Sequence, residues 1–297
     1  MSNSAVNTKI DITVITVCFN SSKTIGRTLQ SVFDSAVNFE GCVELVIVDG
    51  KSSDNTIEIV NSFIWKTPDN LIVKLISEPD KGIYDAMNKG ILLSSGNIVG
   101  FLNSDDMFLC STIKTIVETF DKFDSVSAIH ADVLWEYVLD DSTILLRRDG
   151  SPNLTTITTG MTINHPTLYC RRSLYASLGL FDDNLRYVAD WKWAIGLFKT
   201  DTDVKYLNLP LVVFNMTGVS NQLIARRIWE IFGVYYYLFN VGSISFIRFF
   251  ILCLNTSFRT LFSAIYLNFL PVSIRKRVTR FRKLKHSVDL NDFRGTF

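Results

Sequence analysis

The chain lacks the short motifs that announce several large enzyme classes. Neither GxGxxG nor GxxxxGK[ST] occurs, which removes the main support for a dinucleotide-binding or P-loop protein. The five cysteines (Cys18, Cys42, Cys110, Cys170, Cys253) are odd in number and widely spaced, with no CxxC pair and no Cys/His cluster. A structural zinc site therefore finds no support, and buried reduced thiols are expected. The opening MSNSAVNTKIDITV has no basic segment followed by an apolar run, so no secretory leader is read and a cytoplasmic location is expected. Internal repeats and low-complexity stretches are also missing.

What is present is a large apolar content. The 297 residues are 47% hydrophobic and 20% charged, which excludes disorder, a collagen-like fibre and a small disulfide scaffold. Mean hydropathy of +0.22 is high for a freely soluble chain and points to a membrane surface. The formal net charge of +1 conceals two opposite parts. Residues 223–297 carry 12 Lys and Arg against Glu230, Asp289 and Asp292, a net +9, which leaves −8 for residues 1–222.

Short β-branched runs alternate with helical spacing through the first hundred residues. Ile12–Val17, Val43–Val48, Leu71–Ile76 and Ile98–Leu102 read as buried strands. Helices are predicted from Ile25, Leu29, Val32, Phe33 and Ala36, capped by Asn20-Ser21-Ser22, from Ile57, Val60 and Ile64, capped by Ser53 or Asp54, and over Tyr84–Leu93. The pattern predicts an α/β fold with a Rossmann-like, mostly parallel sheet flanked by helices. Val126–Trp135 and Thr143–Leu146 read as strands around an Asp140-Asp141 turn, and Ser173–Gly179 and Asp190–Phe198 as helices.

Sheets of this kind bind ligands at the carboxyl ends of their strands. Asn20, Asp49, Glu78, Asp80 and Asp105 all fall at such ends. Asn103-Ser104-Asp105-Asp106 suits a hard divalent cation held through oxygen, and equally a turn with a helix cap. Asp49-Gly50-Lys51-Ser52-Ser53-Asp54 suits a strand-to-helix turn, or a carboxylate, Asp49, accepting hydrogen bonds from a nucleobase whose flat face packs on Phe19.

Three segments together, ITVITVCFN, ELVIVDGKSSDNT and ISEPDKGIYDAMNKGILLSSGNIVGFLNSDD, resemble the N-terminal half of family 2 glycosyltransferases of the GT-A fold, in particular bacterial polysaccharide and O-antigen transferases. The resemblance covers residues 10–110 strongly and 155–200 more weakly. It implies that Phe19, Asn20 and Asp49 hold the base end of a nucleotide-sugar, and that Asp105 ligates Mg²⁺ or Mn²⁺ on the diphosphate. The first acid of the family's DxD element is here Asn103, which costs one negative charge, so that either metal affinity falls or Asp106 compensates. Asn103 and Ser104 are implied donor contacts. In the block Asp80–Asn88, Asp85 and Asn88 would meet ribose or sugar hydroxyls and Lys81 would neutralise phosphate. Asp190, in Tyr187-Val188-Ala189-Asp190-Trp191-Lys192-Trp193, matches the family's general base, taking the acceptor's proton during inverting transfer. His165 sits where relatives carry a His-containing segment and would touch diphosphate, metal or acceptor. Trp191 and Trp193 are either a sugar platform or core.

The C-terminal quarter changes character near residue 222. Ile231–Ile247 is free of charge for 17 residues, ten more lie between Arg248 and Arg259, and 15 more precede Arg275. None reaches the ~20 apolar residues of a spanning helix. Arg275–Lys285 holds seven basic residues beside Val278, Phe281 and Leu284. The expectation is a transferase domain over 1–221, with a nucleotide half near 10–125 and an acceptor half near 126–221. A helical, membrane-associating region then covers 222–297, peripheral or monotopic on the cytoplasmic face of the inner membrane. The resemblance implies a polyprenyl-diphosphate-linked saccharide as acceptor, and a UDP-sugar as the commonest donor. No nucleic-acid partner is expected, since no reading motif accompanies the basic charge. Alternatives from other classes are a nucleotidyltransferase making a nucleotide-sugar and a non-catalytic membrane-bound assembly protein.

Overall fold

The computed structural model describes residues 9–139, 142–150, 154–216, 224–269 and 287–288. Strands β1 (Ile12–Cys18), β2 (Val43–Asp49), β3 (Leu71–Ser77) and β4 (Ile98–Phe101) alternate with helices α1 (Ile25–Val37), α2 (Thr56–Ile64) and α3 (Ile83–Leu93). They pair in parallel in the order β3-β2-β1-β4. Every residue of β1 and β2 is buried, because helices cover both faces. Alternation divides the side chains: Ile12, Val14, Leu45 and Ile47 pack on the face of α1, and Ile15, Val17, Val46 and Val48 on the face of α3. The strand and helix positions expected in this half are all found. The cap of α1 is not, because that helix begins at Ile25 and the Ser21 carbonyl accepts the Thr24 and Ile25 amides.

The second half comprises β5 (Met107–Phe108), α4 (Thr112–Lys122), β6 (Val126–Leu139), β7 (Ser142–Arg148), α5 (Leu154–Ile157), a 3₁₀ turn (His165–Thr167), β8 (Tyr169–Arg171), α6 (Ser173–Leu178), α7 (Ala189–Phe198) and β9 (Asp203–Asn215). The sheet continues as β4-β8-β6-β9-β5, with β7 paired to β6. It is mixed rather than mostly parallel: β8 runs antiparallel to β4 and β6, β7 to β6 and β5 to β9, and only β6 with β9 adds a parallel pair. β6 and β7 form a hairpin, which demands antiparallel pairing, whereas parallel neighbours need a crossover of a dozen residues or more. β9 contains Pro210, and the β6–β9 register slips beside it between Ala131 and Asp132, a bulge that accommodates the missing N–H. The Asp140-Asp141 turn lies outside the described residues.

Beyond β9, α8 (Ile224–Asn240) and α9 (Phe246–Phe269) form a helical hairpin. The charge-free run Ile231–Ile247 is thus two helix ends and the turn between them, where Gly242 takes φ +70°. Val234, Tyr235, Leu238 and Leu252 join the core that contains α7, so the apolar core runs across residue 222. Among the described residues no helix is long and apolar enough to cross a membrane. The basic segment Arg275–Lys285 lies outside the described residues. All five cysteines are free; Cys18 and Cys170 are buried as expected, while Cys110, just before α4, is exposed.

Candidate active site

At the carboxyl ends of β1 and β2 two non-glycine residues, Asn20 (φ +49°) and Lys51 (φ +66°), adopt left-handed backbone. Such conformations persist only where surrounding contacts impose them, and they gather at ligand sites. The contacts are visible: the Asn20 carboxamide accepts the Ser53 amide at 2.9 Å, and the Asn20 amide donates to Ser52 Oγ at 2.8 Å. Asn20 and Ser21 thus brace the β2–α2 loop instead of capping α1. Asp54 completes the brace, accepting the Ser22 and Thr56 amides and the Thr56 hydroxyl, which with hydrogen bonding from Thr56 foremost lowers its pKa to about 2.

Asp49 is wholly buried, and protein donors surround its carboxylate: the Ser52 amide at 3.0 Å, the Ser77 hydroxyl at 2.6 Å, the Ser52 hydroxyl and the Cys18 thiol. Beside it Asp80 and Phe19 close on Gly50: a side chain there would meet Asp80 Oδ2 at 2.3 Å and the Phe19 ring at 3.4 Å, so glycine lets the Asp80 carboxylate lie against the backbone. Phe19 is 61% exposed, an apolar ring standing at the strand ends with one side open. Burial raises the Asp80 carboxyl, against the opposing Gly82 amide and Lys89.

The β4 exit separates its two acids. Asp106 is turned inward, fully buried, accepting the Asn215 amide (3.0 Å) and the Asn103 carboxamide (3.3 Å), and burial and neighbouring Asp105 push its carboxyl well up. It stitches the turn to β9 and does not reach the crevice. Asp105 is half-buried and likewise raised by burial, with its own amide and Arg27 opposing. Arg27, from α1, donates to the Asp105 carbonyl and makes a bidentate pair with Glu136 of β6 at 2.7 and 3.0 Å. Ser104 is tied to Ser21 by a 2.9 Å hydroxyl–hydroxyl bond.

Asn103 opens onto a cavity of about 190 Å³ between the halves of the sheet, lined also by Tyr84, Trp135, Arg148, Asn164, His165 and Asp190. Three of its polar atoms, Asn103 Oδ1, Asn164 Oδ1 and His165 Nε2, are buried without a hydrogen-bond partner. Buried polar groups are normally paired, so orphans clustered on one cavity point to a ligand or water. Asp190 lies in the first turn of α7, where the helix dipole favours a carboxylate. Its Oδ1 accepts the Tyr84 hydroxyl at 2.9 Å and the Trp191 amide at 2.8 Å. Burial and then Asp190 push the Tyr84 phenol far up, so Tyr84 stays a donor. His165 stacks on Phe101 at 5.4 Å, and burial lowers its pKa against the pull of Asp190, giving a neutral imidazole at pH 7.

Residues 10–125 and 126–221 therefore meet here, with Asn103, His165 and Asp190 on one cavity. Phe19, Asn20 and Asp49 gather separately at the β1–β2 ends. Asp85, in the first turn of α3, accepts the Lys81 amide and pairs with Lys89 (3.4 Å). The Lys81 ammonium is exposed, 3.6 Å from Asp183. Asn88 exchanges two hydrogen bonds with the Phe181 backbone, so its carboxamide is a clamp between α3 and the loop before α7. Trp191 is core: 2% exposed, with its indole donating to the Ile157 carbonyl and its ring against Tyr235. Trp193 likewise donates to the Gly179 carbonyl and stacks on Tyr175. Sequence reasoning missed Tyr84 as a partner of Asp190, and missed Arg27, Trp135, Arg148 and Glu230. Tyr84 stood inside the recognised block, whereas the others carry no local signal.

Asn103 and Asp105 fit a hard cation in one specific sense. Among the described residues no three acidic, His or Cys side chains converge, which excludes an all-protein cage there. The half-buried Asp105 carboxylate and, two residues earlier, the unpartnered Asn103 Oδ1 are the oxygens this turn offers to an ion that completes its shell with phosphate oxygens and water.

A parallel βαβ half, an Asn/Asp turn at the β4 exit and an acid-bearing cavity against a mixed second half define an enzyme of GT-A-like fold. The chain matches the Glycosyl transferase family 2 profile over residues 13–178, more than half its length, and belongs to that family as a glycosyltransferase. It is 28% identical over 197 residues to a PGL/p-HBAD biosynthesis glycosyltransferase of Mycobacterium tuberculosis, covering 63% of this chain and 71% of the other. An uncharacterized glycosyltransferase of the same species is 28% identical over 220 residues, 71% of this chain and 77% of that one. Among solved structures, S. aureus TarS 1–349 superposes with a TM-score of 0.63 at 18% identity, covering 90% of this chain and 77% of that one. Against the longer TarS chain the coverage is 40% of its length. The mannosyltransferase PcManGT of Pyrobaculum calidifontis, in complex with GDP-Man and Mn²⁺, gives 0.57 at 17% identity, covering 94% and 81%.

Asp190 is positioned from behind by α8. Glu230, almost buried, accepts the Arg186 amide (3.0 and 3.1 Å) and the Tyr187 amide (2.7 Å) just before α7. Glu230→Ala leaves those amides unpaired and is expected to cost about 1–3 kcal/mol in denaturant unfolding. Glu230→Gln, which keeps one accepting oxygen, should lose less. An alanine variant as stable as the parent contradicts the brace.

Proposed function

We propose that this glycosyltransferase moves a sugar, with inversion, from a nucleotide-sugar to a lipid-linked saccharide, in the synthesis of a cell-surface polysaccharide such as O-antigen or lipopolysaccharide. The observation that carries the reading is the cavity shared by Asp190, His165 and Asn103, with its three unpartnered polar atoms. The base of the donor lies on the exposed Phe19 ring at the β1–β2 ends. Asp49 receives its edge when the Ser52 or Ser77 hydroxyl turns away. Asp80 and Asp85 face the ribose side, and the diphosphate lies at the β4 exit. Asp105 with Asn103 would hold Mg²⁺ or Mn²⁺, which supplies the positive charge that stabilises a departing diphosphate. The UDP-GlcNAc complex of TarS supports UDP as carrier, with a TM-score of 0.61, 20% identity and coverage of 76% of this chain and 64% of that one.

Asp190 Oδ1 is occupied by Tyr84 and its own helix, which leaves Oδ2 to take the proton from the acceptor hydroxyl as that oxygen attacks the sugar carbon. The fixed Tyr84 hydrogen bond aims the carboxylate into the cavity. Neutral His165 can accept or donate at Nε2 without adding charge. Asp190→Asn should lower transfer about 100-fold or more while donor binding holds within about twofold. EDTA, or Asp105→Ala, should suppress transfer as well. Near-parental turnover in Asp190→Asn removes it as the base, and transfer undiminished by both metal treatments removes the ion.

The helical hairpin supports residence on a lipid surface, at the cytoplasmic face of the inner membrane. Phe246, Ile247, Phe250, Ile251, Leu254 and Phe258 follow helical spacing along α9 and are all exposed, as is Trp229 on α8. The sequence that follows carries the Arg275–Lys285 charges, suited to anionic lipid. The full chain should float with anionic vesicles, and Phe250→Asp with Leu254→Asp should leave it in the pellet fraction. An unchanged floated fraction contradicts this face as the contact.

A further inference from the structure

The cavity wall opposite the donor elements carries a cation with no counter-charge among the described residues. Arg148 ends β7 and lines the cavity together with Asp190. Its neighbour Arg147 pairs with Asp132 and Asp149, and Arg27 with Glu136, but among the described residues no carboxylate lies within ion-pair distance of Arg148. The guanidinium lies over the Trp135 ring, 5.0 Å from its centroid, and Nη2 donates to the Met161 carbonyl at 3.0 Å. The backbone is held too, since Asn164 Nδ2 donates to the Arg148 carbonyl at 3.3 Å. Burial lowers its pKa, opposed by Tyr137, so the site bears the cost of a half-buried charge that no carboxylate among the described residues offsets.

A stacked guanidinium with one N–H committed keeps the rest of its planar fork for a carboxylate or phosphate. The sheet order says which substrate brings that anion. The nucleotide elements are the ends of β1, β2 and β3, and the diphosphate turn follows β4, whereas Trp135 and Arg148 stand on β6 and β7, beyond β4 on the other side. They share the cavity with the base that takes the acceptor's proton. At about 190 Å³ the cavity is smaller than the ~300–1,000 Å³ of drug-sized pockets, which suits a single sugar unit.

We infer that Arg148, seated on Trp135, recognises an oxyanion on the acceptor, a carboxylate or phosphate borne by the sugar unit whose hydroxyl faces Asp190. This rests on the transferase reading above and adds the chemical class of the acceptor. Arg148 is on this account a specificity-determining residue, and an acidic acceptor unit is preferred to its neutral counterpart.

The test is calorimetric titration of the full chain, loaded with a nucleoside diphosphate and Mn²⁺, with three probes: methyl glucoside, methyl glucuronoside and methyl glucoside 6-phosphate. At least one acidic probe should bind about tenfold or more tightly than the neutral one, and the tighter of the two reports whether the anion is carboxylate or phosphate. Arg148→Gln, which removes the charge and the fork, should erase that preference. Arg148→Lys should retain part of it, as a point charge without the fork. Affinity for the nucleoside diphosphate with Mn²⁺ should be the same in all three proteins. Equal binding of acidic and neutral probes by the parent overturns the inference, as does a loss of nucleotide affinity in Arg148→Gln, which would move Arg148 to the donor. If the folded parent binds none of UDP, GDP and dTDP, the donor reading falls and the inference falls with it; nucleotide binding without acidic preference overturns the inference alone.

Discussion

Burial of both faces of β1 and β2 is the constraint on which the rest of this molecule depends. All seven positions of each strand are closed to solvent, so these strands present polar groups for ligand only where they end. Asn20, Asp49 and Gly50 lie at those ends, where Asn20 and Lys51 take left-handed backbone. The parallel register carries the same logic to β4, whose exit delivers Asn103 and Asp105 beside them. The sheet thus sorts apolar side chains into two cores and gathers the polar ones at one edge.

Long-range polar contacts then hold the second half in register with the first. Tyr84 reaches Asp190 across 106 residues, Arg27 reaches Glu136 across 109, and Asn215 reaches Asp106 across 109. Each joins an element of the first half of the sheet to one of the second, and each ends at or beside a residue of the site. Glu230 adds a third layer by fixing the chain just before α7. The helical hairpin is consequently part of the support of the acid-bearing cavity, while the opposite face of α9 carries exposed apolar side chains.

Much of the first half was legible because both-face burial writes continuous β-branched runs, and because strand exits are where polar residues interrupt them. Less of the second half was. β5 and β8 have two and three residues, too short for any periodicity, and β9 contains Pro210, which argues against a strand until the bulge opposite is seen. Site residues divide in the same way. Asp190, His165 and Asn103 were named from the family resemblance and do share a cavity. Asp105 and Asp106 are identical letters that burial alone separates, and Trp191 is a core ring that a sugar platform would have left open. Arg147 and Arg148 look interchangeable in the sequence, yet among the described residues one pairs with carboxylates and the other with none. That difference lies in partners distant along the chain.

The near-zero net charge likewise resolves into an acidic crevice in residues 1–222 and a basic, aromatic C-terminal region. The central claim is that the β1–β4 ends hold a nucleotide-sugar. Thermal unfolding of the full chain with UDP-, GDP- and dTDP-sugars, each with and without Mn²⁺, reads this most directly, because a ligand that binds only the native state raises its melting temperature. The account predicts a rise with one carrier nucleotide, larger with Mn²⁺ and diminished in Asp105→Ala. A folded protein whose melting temperature responds to none of the donors, with or without the ion, would contradict it.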